Sequence, residues 1–412
     1  MPSFSIPLSG LNASSTELAT IANNLANLNT VGFKGQVGNF QDLFYQQIGT
    51  SGNGSAIQEG VGVSVSGISS DLTQGSVQTT GVPTDVAIQG DGYFVANQAG
   101  ETVYTRAGNF SISAQGQLMT QDGAAVYGYP AVNGVINANA TLGPLSINTG
   151  TTNPPQATGN VQLTANLDSG TAVGDSFSTS VNVVDSLGAT HVLSYSFTKT
   201  AANAWNYSIT IPGADVGAAA PVVVNSGALT FDGNGQLLTP AANVTGLTVN
   251  NLADGASPLT FNWNLYGPNK TGLLTQVSGP SATSETNQDG YSSGSLVSFT
   301  IGSDGTIQGV FSNGQTNPLG QIALASFQNE QGLIRNGSND YLASLDSGAA
   351  NVGAPGTGGR GTLSGGALEQ SNVDIATQFA QLIVAERGYQ ANAKTVTTFD
   401  DVTQTAINLI QG

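Results

Sequence analysis

The chain has 412 residues, room for two to four domains at about 100–200 residues each, and its 39% hydrophobic content fills real cores, which excludes wholesale disorder. Charged residues are only 8% of the chain against about 25% in an ordinary soluble domain, and the eight bases are scattered within a net charge of −17, which excludes a phosphate-neutralising surface for nucleic acid. The absence of cysteine excludes disulfides, thiolate metal sites and cysteine nucleophiles, and no stretch approaches the ~20 apolar residues of a membrane span.

The N-terminal run MPSFSIPLSGLNASS has no basic region, continuous apolar stretch or small-residue cleavage signature, so no cleaved signal peptide is expected. Leu11, Ser14, Leu18, Ile21, Leu25 and Leu28 then step alternately by three and four residues, a heptad pattern that predicts a helix stopped by Gly32. Lys34 is the only cation of the first hundred residues. Residues 33–70, Gly- and Ser-rich around Gly49–Gly62, are expected to be an extended linker.

From about 71 to 346 the pattern predicts β structure. Short β-branched runs (Val86–Ile88, Phe94–Ala96, Val181–Val184, Val192–Phe197, Tyr207–Ile211, Leu296–Ile301) alternate with the turn pairs Asp91-Gly92, Asp122-Gly123, Asp232-Gly233, Asp304-Gly305 and Asn313-Gly314. Soft segments around Pro154-Pro155 and Ser278–Asp289 delimit an inserted outer β domain, 150–288, within an inner one, 71–149 with 289–346. Residues 347–369 hold a second glycine-rich stretch and are expected to be extended or mobile.

At the C-terminus Ile375 is followed by Leu382, Ala385, Tyr389, Asn392, Val396, Phe399, Thr403, Ala406 and Ile410, again in heptad steps, with Ser371 and Asp374 as a capping box and Gly388 as the one weak position. Residues 1–32 with 370–412 therefore read as a coiled-coil-like helix pair. Phe379, Ile383, Val402 and Leu409 fall outside its seam, and a helix apolar on more than one face needs several neighbours. The fold class expected is mainly β with α-helical termini, in nested discontinuous domains: a terminal helix pair plus two β domains.

No catalytic, cofactor or metal site is expected. A Ser-His-Asp arrangement would have to use His191, which sits at a strand start after the Asp185–Gly188 turn and reads as an ordinary exposed or half-buried histidine. The GxGxxG match at Gly356, Gly358 and Gly361 follows Pro355 rather than a strand and precedes no helix, so it reads as linker. Asp232-Gly233-Asn234-Gly235 lacks the ligand register of a calcium loop and reads as a hairpin turn.

Several motifs resemble a known family. Ser9–Ala13, Ile21–Asn27 and Val31–Lys34, with Leu368–Asp374 and Glu386–Lys394 at the far end, are similar to the terminal signatures of bacterial flagellar rod and hook proteins. Gly81–Phe94 and Tyr104–Phe110 resemble the β domain of both; Asp289–Tyr291, Phe311–Gln315 and Leu319–Phe327, with the inserted domain, resemble the hook members specifically. The resemblance implies a non-enzymatic subunit exported by the flagellar type III apparatus and located outside the cell. It would polymerise into a flexible curved tube that meets rod, hook-cap and hook–filament junction proteins, and would bind no cofactor, nucleic acid or membrane. The assembly residues it implies lie on the two heptad rows: Leu11, Leu18, Ile21, Leu25, Leu28, Ile375, Leu382, Tyr389, Val396, Phe399 and Ile410. The competing readings are a stiff distal rod subunit, and a secreted β-rich enzyme or adhesin with incidental helical ends.

Overall fold

The structure, a computed structural model, describes residues 4–53, 55–148, 150 and 152–411, with backbone alone at 410 and 411. Two long helices bracket a body of strands: α1 is Ser5–Ala26 and α2 is Ile375–Gln411. Pro7 is tolerated in α1 because the first turn leaves its N–H positions unpaired in any case. The helix ends at Ala26, so Leu28 of the heptad row lies in the turns beyond it. α2 is capped by Asp374, whose Oδ1 accepts the Thr377 N–H at 2.7 Å; Ser371 instead accepts the Val373 N–H at 3.4 Å, ahead of the helix. The cap is therefore a simple aspartate N-cap rather than a capping box.

The chain divides into two compact units, Met1–Asn148 with Ser298–Gly309 and Thr316–Gly412, and Thr149–Val297 with Val310–Gln315. The second unit holds two five-stranded sheets. One is an antiparallel meander of Ser176–Val184, Thr190–Ala201, Ala204–Ile211, Val222–Phe231 and Leu237–Thr239. In the other, Asn160–Asn166 pairs in parallel with Leu259–Asn264 and antiparallel with Ala282–Gln288. Alternate residues face inward: Val161, Leu163 and Ala165 from the second sheet meet Leu193, Tyr195, Phe197, Trp205, Tyr207 and Ile209 from the first. Trp263 is the centre of this core, with the rings of Tyr195, Tyr207 and Phe197 at 5.2, 5.0 and 6.3 Å.

In the first unit an antiparallel run places Thr316–Ile322, Ala125–Val132, Tyr93–Gln98, Glu101–Thr105, Asp340–Leu342 and Ile334–Gly337 side by side. Buried Phe94 and Phe110 pack edge to face at 4.9 Å. Gly108 lies between these elements because a Cβ there would collide with the Val86 carbonyl.

The segments expected to be linkers are ordered sheet. β1 (Gln36–Asp42) pairs antiparallel with β4 (Val63–Ser70), and β2 (Tyr45–Thr50) with β3 (Ala56–Gly60). Farther on, Thr362–Gly365 pairs with Val86–Gln89, Ala367–Glu369 with Val77–Thr79, and Leu363 and Ala367 are buried. The glycines of this stretch serve close approach rather than mobility. A side chain on Gly361 or Gly365 would strike the backbone carbonyl of Gln89 or Ile301. Composition alone cannot separate these two uses of glycine.

Both tryptophans of the chain, Trp205 and Trp263, lie in the second unit, so intrinsic fluorescence reports its unfolding. Trp263→Ala is expected to destabilise that unit by about 3–5 kcal/mol, read from Trp205 emission in urea. Hydrogen exchange in the Tyr93–Gln98 strand of the other unit should be unchanged.

Candidate assembly site

The two heptad rows meet. Phe4 and Phe399 pack edge to face at 6.0 Å, and Asn24 Nδ2 donates to Gln378 Oε1 at 3.2 Å. Between these ends a Cβ on Gly10 would press on Asn392, and one on Gly388 would come within 3.4 Å of Ser14 Oγ. The residue on α2 falls as the residue on α1 rises, so the helices run antiparallel. Gly388 thus sits at the seam, where a small residue lets the helix axes approach, while Tyr389 beside it points outward and is exposed.

The remaining row residues divide in the same way. Ile21 and Ala385 are buried, and Leu11, Leu18, Leu25, Leu28, Leu382, Val396 and Phe399 are half-buried. Ile375 at the first turn of α2 is exposed, and the side chain of Ile410 lies outside the described residues. The outward face of α2 carries Phe379, Ile383, Val384, Val402 and Leu409, all exposed. α1 is enclosed on a further side by the β1–β4 hairpin. Asn24 Oδ1 accepts the Gln36 N–H and its Nδ2 donates to the Gln36 carbonyl, both at 2.8 Å, and Val63 N–H donates to Ser9 Oγ at 3.1 Å.

At the base of the pair the two terminal signatures close on a buried ion cluster that no heptad reading finds. Lys34 Nζ meets Glu369 Oε1 at 2.6 Å and donates to the Thr73 carbonyl at 2.8 Å; Arg106 Nη1 lies 3.6 Å from Glu369 Oε2. All three side chains are almost completely buried. Burial lowers the Lys34 ammonium below its ordinary value, against the opposing pull of the Glu369 carboxylate. The backbone completes the cluster: Gly75 N–H donates to Glu369 Oε1 at 2.9 Å and Gly32 N–H to the Glu369 carbonyl at 2.8 Å. Gly32 has φ +68° and a Cβ there would collide with the Arg106 backbone, so the residue that stops the first heptad is also required by the site. Arg335 caps the arrangement, donating to the Lys34 carbonyl at 2.8 Å and stacking over Phe33 and Tyr341 at 5.6 Å each. Asn372 ties the start of α2 to the same place, accepting the Gly35 N–H at 2.8 Å and donating to the Asp71 carbonyl at 2.9 Å.

Beside it lies a polar cleft of about 370 Å³ lined by Asn27, Thr30, Thr105, Asp122 and Asp340 among others. Burial, reinforced by the neighbouring Asp122 carboxylate, raises Asp340 to about 7. His191 is not part of this region. It belongs to the second unit and, unlike the exposed or half-buried residue expected, is 6% exposed among aspartates.

Comparison with known proteins places these features. Residues 6–34 match the model "Flagella basal body rod protein" and 364–409 match "Flagellar basal body rod FlgEFG protein C-terminal". Residues 87–165 match "Flagellar hook protein FlgE/F/G D1 domain", and 148–291 match "Flagellar basal body protein FlaE D2 domain". The chain is 37% identical to the flagellar hook protein FlgE of Escherichia coli, over 98% of this chain and 99% of that one. It is 35% identical to that of Treponema pallidum, over 98% of each. In fold it is similar to the crystal structure of Helicobacter pylori flagellar hook protein FlgE2, with TM-score 0.50 at 17% identity, over 69% of this chain and 98% of that chain.

Glu369→Ala leaves two buried cations without their carboxylate and is expected to cost about 3–5 kcal/mol, measured by urea-dependent hydrogen exchange of the strands Tyr93–Gln98 and Glu101–Thr105. Asp340 gives a pH signature. Its folded-state value lies above the ordinary 3.8, so the native state holds a proton that the unfolded chain releases, and stability is lost as pH rises from about 4 to about 7. The stability advantage of Asp340→Asn over the parent should therefore grow across that window and level off above it. A difference independent of pH would contradict the assignment.

Proposed function

The chain belongs to the flagellar hook protein family, and from that premise we propose that it is the subunit of a torque-transmitting, flexible tube assembled through its terminal helices. That it is a hook structural subunit rather than a rod subunit follows from relatives that match it over nearly its whole length and from the D2 domain match at 148–291. Its place is accordingly the flagellar hook, and no helix among the described residues is long and apolar enough to cross a membrane.

One observation carries the assembly reading. α2 runs on past Phe399, where α1 begins, to Gln411, and along its length Phe379, Ile383, Val384, Val402 and Leu409 are turned away from α1. Covering one such side chain contributes about 1.5–3 kcal/mol, and a helical polymer repeats that gain at every subunit. The heptad rows from Leu11 to Leu25 and from Leu382 to Phe399 would hold each subunit's pair together, while the outward face meets neighbouring copies. The low charge content supports this arrangement, because packed copies then bring few like charges together. The reading includes export by the flagellar type III apparatus, growth under a cap protein, contacts with rod and junction proteins, and no catalysis. An isolated helix of about 20 residues is marginal in water, so α1 would be carried unfolded through a narrow channel and fold when it pairs with α2.

Ile383→Asp tests the outward face. Ile383 is 57% exposed, so the substitution should leave urea unfolding of both β units unchanged. It should abolish tubes seen by electron microscopy of purified protein and hooks on complemented cells. Normal hooks from this variant would show that this face of α2 stays in solvent.

A further inference from the structure

One end of the sandwich in the second unit gathers the chain's single histidine and three carboxylates from four places in the sequence. Asp185 follows the strand Ser176–Val184, His191 lies at the start of the strand Thr190–Ala201, Asp215 lies in the short turn Gly213–Val216, and Asp254 sits in the loop before Leu259–Asn264. Asp185 is wholly buried and Asp254 opens to solvent. His191 Nε2 lies 3.1 Å from Asp185 Oδ2 and 3.8 Å from Asp254 Oδ2, and its Nδ1 lies 3.2 Å from Asp215 Oδ2.

The carboxylates are aimed by backbone. Asp185 Oδ1 accepts the N–H groups of Leu187 and Ala189 at 2.8 and 2.9 Å, and Asp254 Oδ1 accepts that of Ala256 at 3.0 Å, leaving both Oδ2 atoms turned to the imidazole. The loops are tied together, Ala253 N–H to the Asp215 carbonyl at 2.8 Å and Ser257 N–H to Ser186 Oγ at 3.1 Å.

The imidazole itself provides the decisive observation. A neutral ring carries one N–H, yet here both ring nitrogens face carboxylate oxygens. If Nδ1–H donates to Asp215, Nε2 faces two further carboxylates, and the positive charge this arrangement needs is either a second ring proton or a metal ion. We propose that His191 Nε2, Asp185 Oδ2 and Asp254 Oδ2 bind a divalent transition-metal ion, with Asp215 holding the ring through Nδ1. The three ligand atoms lie within 4.8 Å of one another. Bonds of about 2.0–2.2 Å to a shared ion place neighbouring ligand atoms about 3–3.6 Å apart, so a small movement of exposed Asp254 closes the set. A carboxylate on the far nitrogen is the usual way a ligating histidine is oriented. One imidazole with two carboxylates suits Zn²⁺, Mn²⁺ or Fe²⁺, whereas Ca²⁺ and Mg²⁺ take oxygen ligands alone. The ion would staple the Asp185 turn to the 250–258 loop and stiffen this end of the unit.

The test uses the full chain stripped with chelator and titrated calorimetrically with Zn²⁺ and Mn²⁺ at neutral pH. The expected result is one ion per chain, with Asp254→Asn abolishing binding and Asp215→Asn weakening it about 10–100-fold. Both residues are partly exposed, and tryptophan emission checks that the variants remain folded. In ¹⁵N spectra with Zn²⁺, His191 should keep Nδ1–H and lose the Nε2 proton. Absence of saturable binding overturns the proposal, as does binding undiminished in Asp254→Asn, or a ring that stays doubly protonated with Zn²⁺ present.

Discussion

Glu369 is a carboxylate kept from water and held between Lys34 and Arg106, and the ends of the chain depend on it. A buried charge is costly unless paired and hydrogen-bonded. Here the pairing spans 335 positions of sequence, so it is satisfied only when both terminal signatures arrive together. α1 reaches this point through Gly32 and Lys34, α2 through Glu369 and Asn372, and the inner strands through Arg106 and Arg335. One ionic knot thereby sets where two helices leave the β structure and on which side they lie. Lys34, the one cation of the first hundred residues, is spent in the interior rather than at the surface.

Above the knot the helices are joined by short-range fit. Gly10 and Gly388 remove side chains where the axes come close, and Asn392 and Ser14 occupy the space opposite. Small residues at a crossing trade intrinsic helix stability, about 1 kcal/mol for a glycine, for closer packing between helices. This leaves the apolar side chains of α2 beyond Phe399, and those on its outer face, exposed among the described residues. A soluble monomer gains little from such a face, whereas a subunit of a tube gains from it at every copy. The β units close their cores within the chain; the helices do not.

The heptad rows were legible because helical periodicity is local: Leu11 to Leu25 and Leu382 to Phe399 show their spacing without knowledge of what covers them. The β character was legible for the same reason, through alternation and turn pairs. The glycine-rich segments misled because composition records that glycine is present and not why. At Gly361 and Gly365 the reason is a carbonyl from a distant strand. Ser371 and Asp374 have the spacing of a capping box, but the backbone path puts Asp374 itself at the N-cap.

His191 and Glu369 mark the same limit from the functional side. Each sits in an ordinary local context, one at a strand start and one before a helix, and neither spacing nor composition hints at its partners. The sequence by itself determined the two terminal helices and the main β runs between them, that the helical ends carry more apolar surface than one pairing covers, and that charge is scarce. These follow from periodicity and counts, which neighbours along the chain establish. Tertiary structure alone decided that Lys34, Arg106 and Glu369 share one dry site, that three aspartates surround His191, and which α2 residues are left outward. Electrostatic and packing energies depend on distances through space, and folding brings together groups whose separation along the chain carries no record of them.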